Sequence, residues 1–176
     1  MKANKDNEAK VGPSDVRRYL DYDPETGDFL WKERVGGFLG WNRRWAGKRA
    51  GYVDRRGYVN IDIHQTTYQG QRLAWLYVYG EWPRHEIDHI DGNTTNNIIA
   101  NLRAVTHTEN LQNTTARRHN KLGLKNISVR KGGYGVSFFE RGKPLYREQF
   151  SSLETAIFVR ELLAPNIYGH FDRKAQ

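Results

Sequence analysis

Apolar and polar residues alternate along 58–63, Tyr-Val-Asn-Ile-Asp-Ile, which predicts a half-buried strand. A turn, Asp23-Pro-Glu-Thr-Gly27, predicts a strand over 29–32, and Tyr68 begins another short one. Helical spacing of Leu73, Ala74, Leu76 and Tyr77 predicts a core helix over 72–79, closed by Gly80. Pro13-Ser-Asp15 can cap a short helix over 16–20, and the polar residues 1–12 are expected to be disordered. Residues 33–51, rich in Gly, Arg and Trp, are expected to form an ordered loop with a basic and aromatic surface.

The pattern then changes. Residues 86–90 predict a short strand, Asp91-Gly92 a turn, 93–101 a loop or a loop with one helical turn, and 102–105 a second strand. A helix over 106–118 opens on Thr106 and Glu109, the spacing of a capping box. The C-terminal part predicts strands over 127–130, 135–140 and 143–150, separated by glycine-containing turns. A helix begins at Ser151, with Ser151 and Glu154 as its capping box, and stops at Pro165.

The amides concentrated in 93–113 are not explained by apolar periodicity. Adjacent strand residues point to opposite faces, so Asp88 and His89 cannot both face the core and each can have its own task. An imidazole suits a general base that takes a proton from water. A carboxylate is a hard ligand for Mg²⁺ or Mn²⁺, and Asn110 can add a neutral oxygen from the first turn of the helix. Asn101 can donate to one backbone group and accept from another, pinning the loop so that His89 keeps its orientation. Asn93, Asn96 and Asn97 are read as plain turn residues. Asp91 is a turn residue or an outer partner of a metal. His85-Glu-Ile-Asp-His89 also matches His-Glu-x-x-His, but that zinc motif needs a helix, and Pro83 and Asp91-Gly92 leave too few residues for one.

Asp88-His-Ile-Asp-Gly-Asn, then Asn101-Leu-Arg, then Thr106 with Glu109-Asn110 and Asn113, resembles the HNH endonucleases, in the phage and intron-associated branch where asparagine replaces the last histidine. The resemblance implies a ββα-metal fold with His89 as general base, Asp88 and Asn110 as metal ligands, and Asn101 as the residue that orients the loop. It extends backward through Tyr22-Asp-Pro-Glu-Thr-Gly-Asp-Phe-Leu-Trp31, Gly57-Tyr-Val and Arg72-Leu-Ala-Trp75 ahead of Gly80-Glu-Trp-Pro83. Gln71 stands where relatives commonly carry a histidine. The tail, from Gly123-Leu-Lys-Asn-Ile-Ser-Val-Arg130 through Tyr134-Gly-Val-Ser-Phe138 to Leu153-Glu-Thr-Ala-Ile157, is similar to AP2-type DNA-binding domains. These lay a three-stranded sheet in the major groove with a helix behind it.

Charge sharpens this reading. The net charge is +8, and no acidic residue falls between Glu109 and Glu140, where Arg117, Arg118, Lys121, Lys125, Arg130 and Lys131 lie. A basic run beside a candidate active site points to a polyanion. Arg141, Lys143 and Arg147 add to it on the predicted strands, where such side chains reach phosphates and guanine edges, while Tyr134, Val136 and Phe138 alternate onto the helix side. The absence of cysteine excludes disulfides and thiolate metal sites and suits a reducing cytoplasm, that of a bacterial host if the protein is a phage product. No apolar run is long enough to span a bilayer.

The expected fold class is α+β. A disordered tail (1–12), an N-terminal α+β segment (13–83), a ββα-metal core (84–120) and an AP2-like sheet and helix (121–176) follow one another. The expected activity is a monomeric, Mg²⁺- or Mn²⁺-dependent nuclease acting on double-stranded DNA and leaving 5′-phosphate and 3′-hydroxyl ends. A DNA-binding module with a decayed nuclease motif and an RNA-directed nuclease are the rival readings.

Overall fold

The computed structural model describes residues 5–36, 39–112, 120–140 and 142–169. The fold is α+β. Among the described residues it is built on four small antiparallel sheets, and the chain divides into two compact units, Met1–Val105 and Thr106–Gln176.

The first unit starts with a helical turn α1 (Lys5–Glu8) and a helix α2 (Pro13–Tyr19). Residues 5–12, expected to lack order, are held because Val11 is buried and Glu8 pairs with Arg72 (2.5 Å). α2 starts earlier than its apolar residues suggest. Pro13 occupies the first helical position, where its missing N–H costs nothing, and Asp15 accepts from the Gly12 N–H (2.9 Å). The helix gives way at Leu20 to β1 (Leu20–Tyr22), which pairs with β2 (Phe29–Trp31) across the Asp23–Gly27 turn. The stretch expected to be an ordered loop contains a short helix α3 (Leu39–Trp45), and Arg49 bridges back to Leu30. β3 (Tyr52–Val53), β4 (Val59–Ile63) and β5 (Thr66–Gln69) form a meander.

Helix α4 (Gly70–Tyr79) buries Leu73, Ala74 and Leu76 and ends on Gly80, whose φ of +77° supplies the left-handed cap. Its Arg72 also donates to the carbonyls of Pro83 (3.0 Å) and His85 (3.0 Å), fixing the chain that leads into β6 (Glu86–His89). β6 pairs with β7 (Leu102–Val105), and Ile87 and Leu102 share one core with Leu20, Ile61 and Leu73. The two strands of the predicted nuclease core belong to the same unit as the segment before them.

The second unit opens with α5 (His107–Gln112); residues 113–119, including all of the rest of the predicted helix, lie outside the described residues. β8 (Ile127–Arg130), β9 (Gly133–Glu140) and β10 (Lys143–Phe150) form a three-stranded sheet in the order β10-β9-β8. Helix α6 (Leu153–Tyr168) covers one face of it through Val136 and Phe138. Its cap is Ser152, which accepts from the Thr155 N–H (3.1 Å), rather than the expected Ser151 and Glu154 pair. Nor does Pro165 stop it. Ala164 and Tyr168 are buried on either side of the proline, and the Asn126 amide donates to the Tyr168 hydroxyl (2.9 Å). Packing there outweighs one missing backbone hydrogen bond.

Candidate active site

The register of β6 and β7 sets Asp88 opposite Arg103 and His89 opposite Leu102. Directly opposed residues share a face of an antiparallel pair, so Asp88 and Arg103 meet on one side and His89 lies on the other with Ile87 and Leu102. Arg103 donates from Nε and Nη2 to the same oxygen, Asp88 Oδ2 (2.9 Å each). The two faces are opposite, as expected, yet both side chains are buried: this ribbon is covered on both sides. The strand conformation also separates His85 from His89, so the zinc motif has no helix face on which to form.

The loop from Ile90 to Asn101 is closed by its own amides. Asp91 N–H donates to Asn101 Oδ1 (3.0 Å), while Asn101 Nδ2 donates to Asp91 Oδ1 (2.9 Å) and to the Asn96 carbonyl (2.9 Å). The main chain adds Ile90 N–H to the Asn101 carbonyl (2.9 Å). Asp91 also accepts from the Asn93 N–H and from Asn96 Nδ2, at 2.8 and 2.7 Å. Burial pushes the Asp91 carboxyl up, but the hydrogen bonds from Asn96, Asn101 and Asn93 prevail and hold it below the usual carboxylate range. Both ends of the loop are therefore tied at Asp91 and Asn101.

Asn93 and Asn96 behave as turn residues, each accepting from a backbone N–H two positions on. Asn97 does not, and its reading as a turn residue is corrected. It is 1% exposed, and its Oδ1 lies 3.1 Å from Nε2 of His89, itself 3% exposed. The Tyr22 hydroxyl donates to the Asn97 carbonyl (2.7 Å). Arg103 and Tyr22 are likewise site residues that sequence reasoning passed over. The Asp88–Arg103 pairing was open to inference from strand register; the Asn97 and Tyr22 contacts carry no local signal.

Asn110, the other predicted metal ligand, lies on α5 in the second unit, where its N–H donates to the Thr106 carbonyl (3.0 Å). The capping box of that helix is formed: Thr106 N–H donates to Glu109 Oε2 (2.7 Å) and Glu109 N–H to Thr106 Oγ1 (3.3 Å). Among the described residues no cluster of three or more His, Asp or Glu is placed to hold a metal.

Of the predicted DNA-contacting residues, Arg117, Arg118 and Arg141, like Asn113 of the motif, lie outside the described residues. Lys121, Arg130, Lys131, Lys143 and Arg147 are exposed. Ser128 and Gln149 both register with Gly135, and Arg147 with Ser137, which puts these residues on the sheet face away from α6. Arg130 joins them: a Cβ on Gly135 would come within 3.1 Å of its Cγ and Nε, so the arginine lies flat over the glycine. Lys125 instead sits 4.6 Å above the Tyr168 ring. Gln71 is buried, and its Oε1 has no hydrogen-bond partner.

Among the described residues no helix is long and apolar enough to cross a membrane. Residues 68–112 match the HNH endonuclease family, and they span α4, β6, the loop, β7 and α5. The chain is also similar to an uncharacterized HNH endonuclease of Acanthamoeba polyphaga mimivirus, at 30% identity over 123 residues. That match takes in 68% of this chain and 63% of the relative's length. No solved structure matches.

Proposed function

We propose that the chain is a metal-dependent endonuclease that hydrolyses phosphodiester bonds of double-stranded DNA. The observation that carries this reading is the Asp88–His89 pair at the end of β6, followed by a loop closed at Asp91 and Asn101, inside the stretch that matches the HNH endonucleases.

His89 takes the proton of the attacking water. Water's oxygen forms the new bond to phosphorus, the bond to the 3′ oxygen breaks, and that oxygen takes up a proton from solvent. The products carry a 5′-phosphate and a 3′-hydroxyl. By their places in the motif, Asp88 and Asn110 would hold Mg²⁺ or Mn²⁺. One carboxylate and one amide form the sparse, all-oxygen donor set that Mg²⁺ accepts while keeping sites for water and phosphate. When bound, the cation supplies charge neutralisation at the phosphate and the departing oxygen. Arg103 keeps the Asp88 carboxylate oriented and partly neutralised beforehand. Asn101, by tying both ends of the loop, holds the backbone on which His89 sits.

The outward face of the C-terminal sheet, with Arg130 and Arg147, and the neighbouring Lys121, Lys131 and Lys143 would hold the duplex in an AP2-like manner. With one site per chain, a monomer nicks one strand. The test is relaxation of supercoiled plasmid in Mg²⁺, run beside His89→Ala and beside a gel shift. Wild type should nick, and the variant should lose about 10²–10⁴-fold in rate while still binding DNA. Equal nicking by both removes His89 from the chemistry. Binding without nicking by wild type favours the DNA-binding module, and stronger competition by structured RNA than by duplex DNA favours the RNA-directed reading.

A further inference from the structure

Asn97 is held from three sides. Tyr22 on β1 donates to its carbonyl. Gly27, at φ +74°, lies so close that a Cβ there would stand 2.5 Å from the Asn97 carbonyl carbon and 2.4 Å from the Ile98 nitrogen. Gly70, the first residue of α4, faces the amide itself: a Cβ there would stand 2.8 Å from Asn97 Nδ2 and 3.3 Å from Val59. The main chain and the side chain of Asn97 are thus both confined, by segments far from it in sequence. The Tyr22 hydroxyl is suited to its part, since burial raises it above its ordinary range and keeps its proton in place.

From this geometry we infer that Asn97 is a positioning residue that sets the tautomer of His89, with the proton on Nε2 and the lone pair on Nδ1. An amide oxygen only accepts, so the ring nitrogen 3.1 Å from Asn97 Oδ1 must donate. A neutral imidazole has a single N–H, and its lone pair then falls on the other nitrogen. Both groups are buried, and a mismatch between them would leave two polar groups facing one another without a hydrogen bond, which the interior penalises. The functional consequence rests on the nuclease reading: Nδ1 is the atom that receives the water's proton, while Nε2–H stays donated to Asn97 throughout. The confinement by Tyr22, Gly27 and Gly70 makes the first part of the chain a component of the site.

The test reads the tautomer directly, without DNA or metal, by long-range proton–nitrogen NMR correlation on the full chain. It is run at about pH 8, where an ordinary imidazole is neutral, and the His89 signals are assigned by their loss in His89→Ala. The expected result is the Nε2–H form in wild type. Asn97→Asp keeps an acceptor oxygen and should keep that form. Asn97→Leu should shift the tautomer balance away from that of wild type and lower nicking about 10–100-fold, as loss of an orienting partner does, with DNA affinity unchanged. An Nδ1–H tautomer in wild type overturns the inference whether or not the variants fold; so does an unchanged tautomer in a folded Asn97→Leu. Failure of the nuclease reading looks different: the Nε2–H form is present and wild-type protein does not nick.

Discussion

The loop from Asp91 to Asn101 and the outward face of the β8–β10 sheet are both rich in polar side chains, and they use them in opposite ways. In the loop, Asp91, Asn93, Asn96, Asn97 and Asn101 bond to one another, to nearby backbone or to His89. On the sheet, Arg130 and Arg147 are exposed and form no ion pair among the described residues. Polarity turned inward gives a fixed geometry, at the risk of large losses when one partner is removed. Polarity turned outward adds little to stability and leaves charge for a partner. The same composition, read as a percentage, conceals the difference.

The largest effect should come from the inward class. Glu8→Ala leaves the Arg72 guanidinium, whose side chain is 9% exposed, without its carboxylate and should cost about 3 kcal/mol in chemical unfolding. A loss under about 1 kcal/mol would mean this pair behaves like a surface one. Asn101→Ala removes three hydrogen bonds from the loop and should cost about 2 kcal/mol, with nicking lost and gel-shift affinity retained. Arg130→Ala and Arg147→Ala should do the reverse. Stability should stay within about 0.5 kcal/mol of wild type. DNA affinity should fall, and for each arginine that contacts a phosphate the slope of log affinity against log salt should shrink by about 1. If either substitution unfolds the protein, the sheet face is structural and the comparison breaks.

Two smaller effects sharpen it. Asp91 is held below its ordinary range, so its contribution is present above the unfolded value of about 3.9 and is lost as pH falls through the lower folded value. Amide exchange in the loop should therefore stay slow at neutral pH and speed up in acid; in Asp91→Asn that acid response should be blunted. Gln71 is one exception among inward groups, because its Oε1 is buried without a partner. Gln71→Met keeps the shape, removes the orphaned oxygen, and should raise stability by about 1 kcal/mol in the same unfolding assay.

What was legible in the sequence was what is local. The β6 and β7 strands and the Thr106–Glu109 cap are written in spacings of two and three residues, and the structure forms them. β1 was missed because three residues carry no period, and its partner β2 lies across a turn. α3 was missed because glycine and tryptophan obscure its helical character, and α6 runs through Pro165 because buried Ala164 and Tyr168 decide what propensity alone would not. Within the site, Asp88 and His89 announce themselves by type and order. Asn97 does not: amid other loop asparagines it is one more amide, and only the approach of Tyr22, Gly27 and Gly70 distinguishes it.

Close approach also bears on how far this protein can be cut down. Gly57 takes part as well, its carbonyl accepting from the Thr94 hydroxyl (2.7 Å). A truncated version starting at Pro83 would retain every motif residue yet strip the covering from Ile87, Leu102 and Asn97, exposing apolar surface and a buried amide together. Such a miniature should aggregate or remain unfolded, and grafting the motif onto another scaffold would require transplanting its upstream supports as well.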